Sequence, residues 1–177
     1  KAGWLQGIFP ARTGNAVYRD LAFGGGIPNV EFAAVWLGLR STMVTAQPDG
    51  APSDANSLGP YENARRLLGL AALDAQLYSD ADLGGAHGFE EAFWWQRSPR
   101  RILGRIVRNG IPAFFWSGWY DVYQRGAPLS YAQLQNAWLA RHHPVAGTTT
   151  PRATDPMRAD QPATGRYQLT MGPWYHN

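Results

Sequence analysis

Residues 111–121 read IPAFFWSGWYD and give the clearest indication of the fold. The run from Ile111 to Trp116 is apolar throughout, has the length of a strand, and is followed closely by Gly118. A run that is apolar on both faces is typical of an inner strand of a parallel sheet that helices cover. We therefore predict a buried parallel strand here, with Asp121 just beyond its carboxyl end.

A second segment with the same layout lies near the end of the sequence. Residues 167–176 read YQLTMGPWYH, which is a strand pattern, a glycine turn, a Trp-Tyr pair and one ionisable residue. In parallel α/β sheets, reactive groups gather beyond the carboxyl ends of the strands. We therefore expect Asp121 and His176 to lie close together.

Asp121 and His176 are the acid and the base that a hydrolase triad needs. The acid holds the imidazole in the productive tautomer, and the imidazole takes the proton of the nucleophile. The order along the chain, acid before histidine, is that of α/β-hydrolases. Taken singly, an Asp after a strand commonly forms a turn, and a His in a loop commonly has only a structural hydrogen bond. The pair, at the ends of two successive strands, is what favours catalysis.

The rest of the sequence predicts further strands and helices. Leu5 to Phe9 reads as a buried strand that Pro10 ends. Helices are predicted over residues 30–45, 61–79, 90–96, 98–109 and 129–141. Ser98 is the expected N-cap of the fourth helix, and Gly110 is expected just past its C-terminus. Residues 142–165, rich in Pro, Thr and Gly, predict an irregular loop.

This order of elements predicts an α/β fold. Residues 28–103 contain helices but no strand, and they separate two segments that do contain strands. We therefore predict a mostly parallel core formed by residues 1–27 and 104–177, with a helical cap inserted at 28–103.

Composition excludes several classes of protein. Hydrophobic residues make up 45% of the 177 residues and charged residues 16%, a balance that can fill a core and argues against intrinsic disorder. The net charge is +3, but the basic residues are dispersed, so we predict no nucleic-acid partner. No cysteine occurs, which excludes disulfides and thiol catalysis within these residues. No apolar run approaches the ~20 residues that span a bilayer, so no membrane partner is predicted.

The sequence predicts no metal and no cofactor. Its one histidine pair, His142-His143, is adjacent in sequence. Adjacent side chains of an extended chain point to opposite sides, so the two are poor joint ligands.

The two turns resemble those of a known family. Residues 118–121 match a Gly-Trp-x-Asp turn, and residues 172–176 match a Gly-Pro-Trp-x-His turn, of the cocaine esterase and X-Pro dipeptidyl-peptidase group of serine hydrolases, the CocE/NonD or peptidase S15 type. Residues 5–10 resemble the strand after that group's nucleophile helix, and residues 17–26 resemble the approach to its helical cap. The resemblance covers nearly the whole chain. It implies the C-terminal part of an α/β-hydrolase core, cleavage of an ester or amide through an acyl-enzyme, and triad roles for Asp121 and His176.

The sequence departs from this pattern at the nucleophile. The serine of the group lies in a Gly-x-Ser-Tyr-x-Gly elbow, whereas no Gly-x-Ser-x-Gly occurs here and Ser117 lacks the flanking glycine. The resemblance therefore implies a serine upstream of Lys1 and a jelly-roll domain after Asn177, so we expect an internal fragment that is inactive alone. The interval from Asp121 to His176, 55 residues, is longer than the resemblance leads us to expect.

Four aromatic residues of the turns are candidate substrate contacts: Trp119, Tyr120, Trp174 and Tyr175. Rings offer a large contact area at low entropic cost, although packing beneath the turns is an equal alternative. In the α-amino-acid ester hydrolase branch, acidic residues just after the triad Asp hold a substrate ammonium, and residues 122–125 contain none. The expected substrate is a small ester, amide or peptide, with any proline preference left open.

Two other interpretations fit the missing elbow. A non-catalytic α/β interaction module could keep the hydrolase turns for structural reasons. A protein made of separately encoded or nicked pieces would carry the serine on another chain. In the hydrolase interpretation, the partner is the remainder of the same enzyme, namely its nucleophile segment and C-terminal domain. By analogy with the group that the turns resemble, we expect a secreted bacterial protein, with a cytoplasmic one as the alternative.

Overall fold

A computed structural model describes residues 5–31, 35–36, 38–40, 43, 60–143 and 154–176. The elements, in chain order, are a π-helical turn (Tyr18–Ala22), β1 (Phe23–Gly24), β2 (Ile27–Pro28), α1 (Pro60–Leu83), a 3-10 turn (Ala86–Gly88), α2 (Ala92–Arg97), a 3-10 turn (Pro99–Arg101), α3 (Leu103–Arg108), β3 (Ala113–Gly118), α4 (Gly126–His142) and β4 (Tyr167–Gly172). The chain divides into two compact units, residues 1–21 with 92–177, and residues 22–91. The predicted mixture of helices and strands is confirmed.

The first unit is built on parallel strands. β3 and β4 pair in parallel, from Ala113 opposite Tyr167 to Gly118 opposite Gly172. Both segments form parallel strands as predicted, with the first shifted to Ala113–Gly118 and only partly buried, since Phe114 is 39% exposed. Because the two strands run in the same direction and end at paired glycines, the turns that follow them start side by side.

Residues 8–12 lie along the other edge of β3. The Ile8 N–H donates to the Pro112 carbonyl at 3.0 Å, and the Arg12 N–H donates to the Trp116 carbonyl at 2.8 Å. Pro10, between them, has no N–H for the ladder, so the pairing breaks up into isolated bridges.

The prediction of a buried strand at residues 5–9 is wrong as to burial. The segment is extended and pairs with β3, but Phe9 is 58% exposed. In the described part of the chain, β3 is the only strand paired with this segment, so it lacks the cover that an inner strand has on both edges.

The core of the first unit lies where α3 and α4 pack with the sheet. Its buried cluster consists of Leu103, Ile106, Val107, Ala113, Phe115, Ala127, Leu134 and Tyr167. Full burial of the larger aliphatic and aromatic side chains stabilises a fold by roughly 1.5–3 kcal/mol each. α3 ends as predicted, with Gly110 at φ 66°, a left-handed conformation that glycine adopts without steric cost.

The other helix predictions hold with shifted ends. α1 extends past residue 79 to Leu83, α2 begins at Ala92 rather than residue 90, and α4 begins at Gly126 rather than residue 129. In the helix predicted at 30–45, residues 30–31, 35–36, 38–40 and 43 are helical, and the others lie outside the described residues.

The helix predicted over residues 98–109 is instead a 3-10 turn followed by α3. Ser98 occupies the N-cap position of that turn without a capping hydrogen bond from its side chain. Its hydroxyl donates to the Trp94 carbonyl at 2.8 Å and accepts from the Val17 N–H at 3.1 Å. The serine therefore connects α2 to the segment before the π-helical turn, and this contact competes with capping.

α4 holds the loop before β4 through buried amides. The Gln135 amide donates to the carbonyls of Thr164 and Tyr167 and accepts from the Thr164 N–H, at 2.9–3.0 Å. Asn136 donates to the Asp155 carbonyl at 2.7 Å and accepts from Gln161 at 2.8 Å. Residues 154–165 are irregular, as predicted; residues 144–153 lie outside the described residues.

The second unit contains α1 and a short antiparallel pair, β1 with β2. Gly25 and Gly26 connect these strands with φ values of 67° and 88°. Beyond α1, the His87 side chain hydrogen-bonds to Asp80, and this bond lowers the pKa of Asp80. Among the described helices, none combines the length and apolar character that a bilayer crossing requires.

Candidate active site

Asp121 lies in the turn that follows β3. Its side chain is fully enclosed. Oδ1 accepts the Tyr123 N–H at 2.7 Å, and Oδ2 accepts Nδ1–H of His176 at 3.0 Å. The turn is closed by the Gln124 N–H, which donates to the Asp121 carbonyl at 3.0 Å. Each oxygen of the carboxylate therefore has a partner, and Asp121 holds a fixed orientation.

His176 lies in the turn that follows β4 and is brought to Asp121 by the paired strands. Two backbone bonds join the turns: the Trp119 N–H donates to the Gly172 carbonyl at 2.9 Å, and the Tyr120 N–H donates to the Trp174 carbonyl at 3.2 Å. The His176 side chain is 54% exposed. With Nδ1 engaged by Asp121, Nε2 is the nitrogen left for a reacting group.

Trp174 fills the space between the two turns and explains both glycines. A Cβ at Gly118 would lie 2.0 Å from the Trp174 carbonyl oxygen, and one at Gly172 would lie 2.6 Å from its indole. The indole also packs on Trp116, with ring centroids 4.6 Å apart. Glycine is therefore required at both strand ends by close approach of another chain segment.

The other three aromatic candidates are exposed. Trp119 is 56% exposed, Tyr120 61% and Tyr175 62%. Tyr120 and Tyr175 stack on each other, with centroids 5.2 Å apart and planes 22° apart. This stack joins the two residues that directly precede Asp121 and His176 in sequence. The assignment of the four aromatic residues to substrate binding stays a prediction.

Arg12 is a neighbour of the pair that sequence reasoning missed. It follows the segment paired with β3, and its Nη1 donates to the His176 carbonyl. Its Nε lies 3.9 Å from Asp121 Oδ2, and its guanidinium lies over the Trp116 ring at 5.3 Å. Because 164 residues separate Arg12 from His176, no local pattern could have indicated the contact.

Tyr123 is a second neighbour that the sequence did not reveal. Its ring centroid lies 5.4 Å from that of His176, with the planes tilted by 57°. Burial raises the pKa of Tyr123, and the charges of Asp121 and Asp20 raise it further. The phenol therefore stays neutral at neutral pH and contributes a half-buried ring wall beside the imidazole.

Asp20 organises the loop beneath this wall. Its enclosed carboxylate accepts the backbone N–H groups of Asn15 and Ala16 at 2.6 and 2.8 Å, and it pairs with Arg125. Asn15 in turn is 2% exposed and donates to two residues of α4. The loop after residue 12 is thus fixed to α4, and it forms a firm base for the turn that carries Asp121.

Ser117, the serine nearest the pair in sequence, is fully buried in β3. Within the described residues its hydroxyl has no hydrogen-bond partner. A buried hydroxyl inside a strand cannot meet a substrate, so Ser117 does not supply the nucleophile. Likewise, no group of three His, Asp or Glu that could hold a metal ion occurs in the described ranges.

Comparison with known proteins gives the family. The sequence model of the X-Pro dipeptidyl-peptidase (S15) family matches residues 2–177. The chain belongs to this S15 family. Membership implies a serine hydrolase of the peptidase or esterase type, and it agrees with the resemblance that the two turns suggested. No curated protein and no solved structure matches the chain.

Within this S15 chain, the pairing of β3 with β4 brings together two of the predicted site residues, Asp121 and His176. The same pairing explains the glycines of the two turns, because the Trp174 carbonyl lies where a side chain at position 118 would stand, and the Trp174 indole lies where one at position 172 would stand.

Proposed function

We propose that Asp121 and His176 are the acid and base of a serine hydrolase that cleaves an ester or amide bond through an acyl-enzyme. The observation that carries this proposal is the 3.0 Å hydrogen bond between His176 Nδ1 and the enclosed Asp121 carboxylate. It rests in addition on S15 membership and on the family turns that hold both residues.

His176 acts through Nε2. It takes the proton of a serine hydroxyl as that oxygen attacks the substrate carbonyl, and it then gives the proton to the leaving alcohol or amine. In the second half of the reaction it takes a proton from water, which attacks the acyl-enzyme, and returns the proton to the serine. Asp121 keeps Nδ1 protonated and stabilises the imidazolium while it exists.

The serine itself is proposed to lie upstream of residue 1. The 177 residues contain no Gly-x-Ser-x-Gly elbow, and Ser117 is enclosed in β3. Residues 1–27 and 104–177 then form the C-terminal part of an α/β-hydrolase core, and residues 28–103 form its helical cap. The compact units divide at other limits, after residues 21 and 91, so that α2 groups with the first unit.

The surroundings of the pair favour substrates whose acyl portion is uncharged. The stacked and exposed Tyr120 and Tyr175 offer ring surface on the two turns that carry the pair. The carboxylates of Asp20 and Asp121 are enclosed and paired, so neither can bind a substrate ammonium. We propose a small ester, amide or peptide substrate. X-Pro dipeptidyl amides, whose acyl portion carries an ammonium, are the contrasting test compounds, because a group other than Asp20 or Asp121 would have to bind that charge.

The proposal is tested by labelling the full-length protein with a fluorophosphonate probe and mapping the labelled peptide. The expected result is a label on a serine upstream of residue 1 that is lost in His176→Ala. Parallel assays with activated esters and X-Pro anilides then identify the bond. A folded protein that takes no label would overturn the proposal and favour a non-catalytic module that keeps the turns for structure. A label on a separate chain would indicate an enzyme assembled from pieces.

A further inference from the structure

Arg12 makes contact with both turns of the acid-base pair at once. It holds the main chain at His176 through Nη1, and it places its charge 3.9 Å from the oxygen of Asp121 that binds His176. Its guanidinium lies over Trp116, so the side chain is fixed on three sides and only 24% exposed.

The backbone of Arg12 is also unusual. It has a φ of 49°, and among the described residues it is the only non-glycine with a positive φ. A side chain raises the energy of this conformation, which therefore persists only when the surroundings fix it. Here it is fixed on one side by the bond from its N–H to the Trp116 carbonyl at 2.8 Å. Such outliers concentrate at functional sites.

His176 needs such support. Its side chain is 54% exposed, and it lies in an irregular turn beyond the end of β4. A half-exposed imidazole keeps its hydrogen bond to an enclosed carboxylate only if the main chain that carries it is held in place, since water competes for the imidazole.

We propose that Arg12 is a positioning residue for the acid-base pair. It fixes the main chain of His176 and partly neutralises the Asp121 carboxylate, so that the imidazole stays in the geometry required for proton transfer. The inference rests on the proposed hydrolase function, but its effect on the hydrogen bond between His176 and Asp121 does not depend on turnover.

The test uses the full-length protein with Arg12→Gly, because glycine adopts the left-handed backbone conformation without strain. Arg12→Lys is the second variant, since it keeps the charge and loses the fork of donors. Arg141→Gln is the matched control. It removes an exposed arginine in the last turn of α4, roughly 20 Å along the helix from Gly126, where the helix begins.

Two measurements are made on each variant. The first is kcat and KM for an activated ester. The second is the downfield proton signal of His176 Nδ1–H in the one-dimensional spectrum, identified by its loss in His176→Ala. In Arg12→Gly we expect kcat to fall on the order of 10- to 100-fold with KM little changed, as small misplacements of catalytic groups do. We expect the downfield signal to broaden or disappear. Millimolar guanidinium should restore part of the lost rate.

Arg12→Lys should show a smaller fall in kcat, and Arg141→Gln should match the wild type in rate and spectrum. A folded Arg12→Gly protein with wild-type kcat and an unchanged downfield signal would overturn the inference. Should Arg12→Gly not fold, the same two readouts on Arg12→Lys decide it. A His176→Ala protein that stays fully active would instead refute the proposed hydrolase function. Failure of the Arg12 inference and failure of the proposed function therefore give different results.

Discussion

The side chain of Asp121 is fully enclosed, whereas that of His176 is 54% exposed. This difference suits the two roles proposed for them. An acid that only orients an imidazole needs no access to substrate, while the imidazole must reach both the nucleophile and the leaving group. The sequence predicted the two residues because each follows a strand, glycine and Trp-Tyr pattern. It could not predict Arg12, whose contact with His176 spans 164 residues and depends on the packing of three chain segments.

The glycines at the strand ends give a prediction at the same scale. Gly118→Ala places a Cβ 2.0 Å from the Trp174 carbonyl oxygen, and Gly172→Ala places one 2.6 Å from the indole. Each substitution should lower the free energy of unfolding by about 1–3 kcal/mol, because overpacking displaces backbone and ring. Chemical denaturation measures the change. Gly165→Ala is the control, since nothing lies within 4 Å of its added methyl group; equal stability of all three variants would contradict the packing described.

At the scale of elements, α4 shows what a hydrophobic pattern can and cannot predict. The pattern indicated a helix, and Leu134 and Leu139 are buried as the spacing implies. Gln133, Gln135 and Asn136 are equally buried. The pattern of polar and apolar residues assigns such amides to the surface, because it contains no information about the chain segments that pack on them in the fold. The burial of Gln135 and Asn136 follows from the polar groups of residues 155–167, which need partners once they are enclosed. Gln133 instead accepts from the buried Asn15 side chain.

This arrangement predicts that Gln135→Ala is costly. The change leaves the Thr164 N–H and the Thr164 and Tyr167 carbonyls without the side chain that satisfies them. The free energy of unfolding should fall by about 1–3 kcal/mol, and amide exchange should speed up over residues 154–166. Gln168→Ala is the matched control, because Gln168 also donates to a loop carbonyl but is exposed. An equal loss of stability and equal exchange in the two variants would contradict this role of Gln135.

At the scale of the whole molecule, the parallel register of β3 and β4 converts two separate sequence patterns into one site. The parallel direction was predictable, since both patterns read as strands separated by a helix and a loop, whereas the residue-by-residue register was not. The exposure of residues 5–9 was not, because burial depends on what covers a strand and not on its own composition. The limits of the two units, after residues 21 and 91, likewise follow from packing that local sequence does not encode.

The burial of two tyrosines predicts how the stability of the fold depends on pH in the alkaline range. Burial raises the pKa of both Tyr123 and Tyr167 above the ordinary value of 10.0. Since the folded state resists ionisation that the unfolded chain allows, stability should be constant below about pH 10 and fall as the pH rises further. Melting temperatures from pH 8 to 11.5 measure this. Tyr123→Phe and Tyr167→Phe together should flatten the fall; an equally steep fall in the double variant would contradict the explanation.

The role of His176 and Asp121 in the proton transfers of a serine hydrolase can be tested through the kcat/KM of His176→Ala in the full-length protein. An activated ester serves as substrate at neutral pH, and a melting curve confirms that the variant is folded. The account predicts a loss of about 10³-fold or more, as for other triad histidines. A folded His176→Ala protein within about tenfold of the wild type would contradict it, because no general base that carries the reaction can be removed at so small a cost.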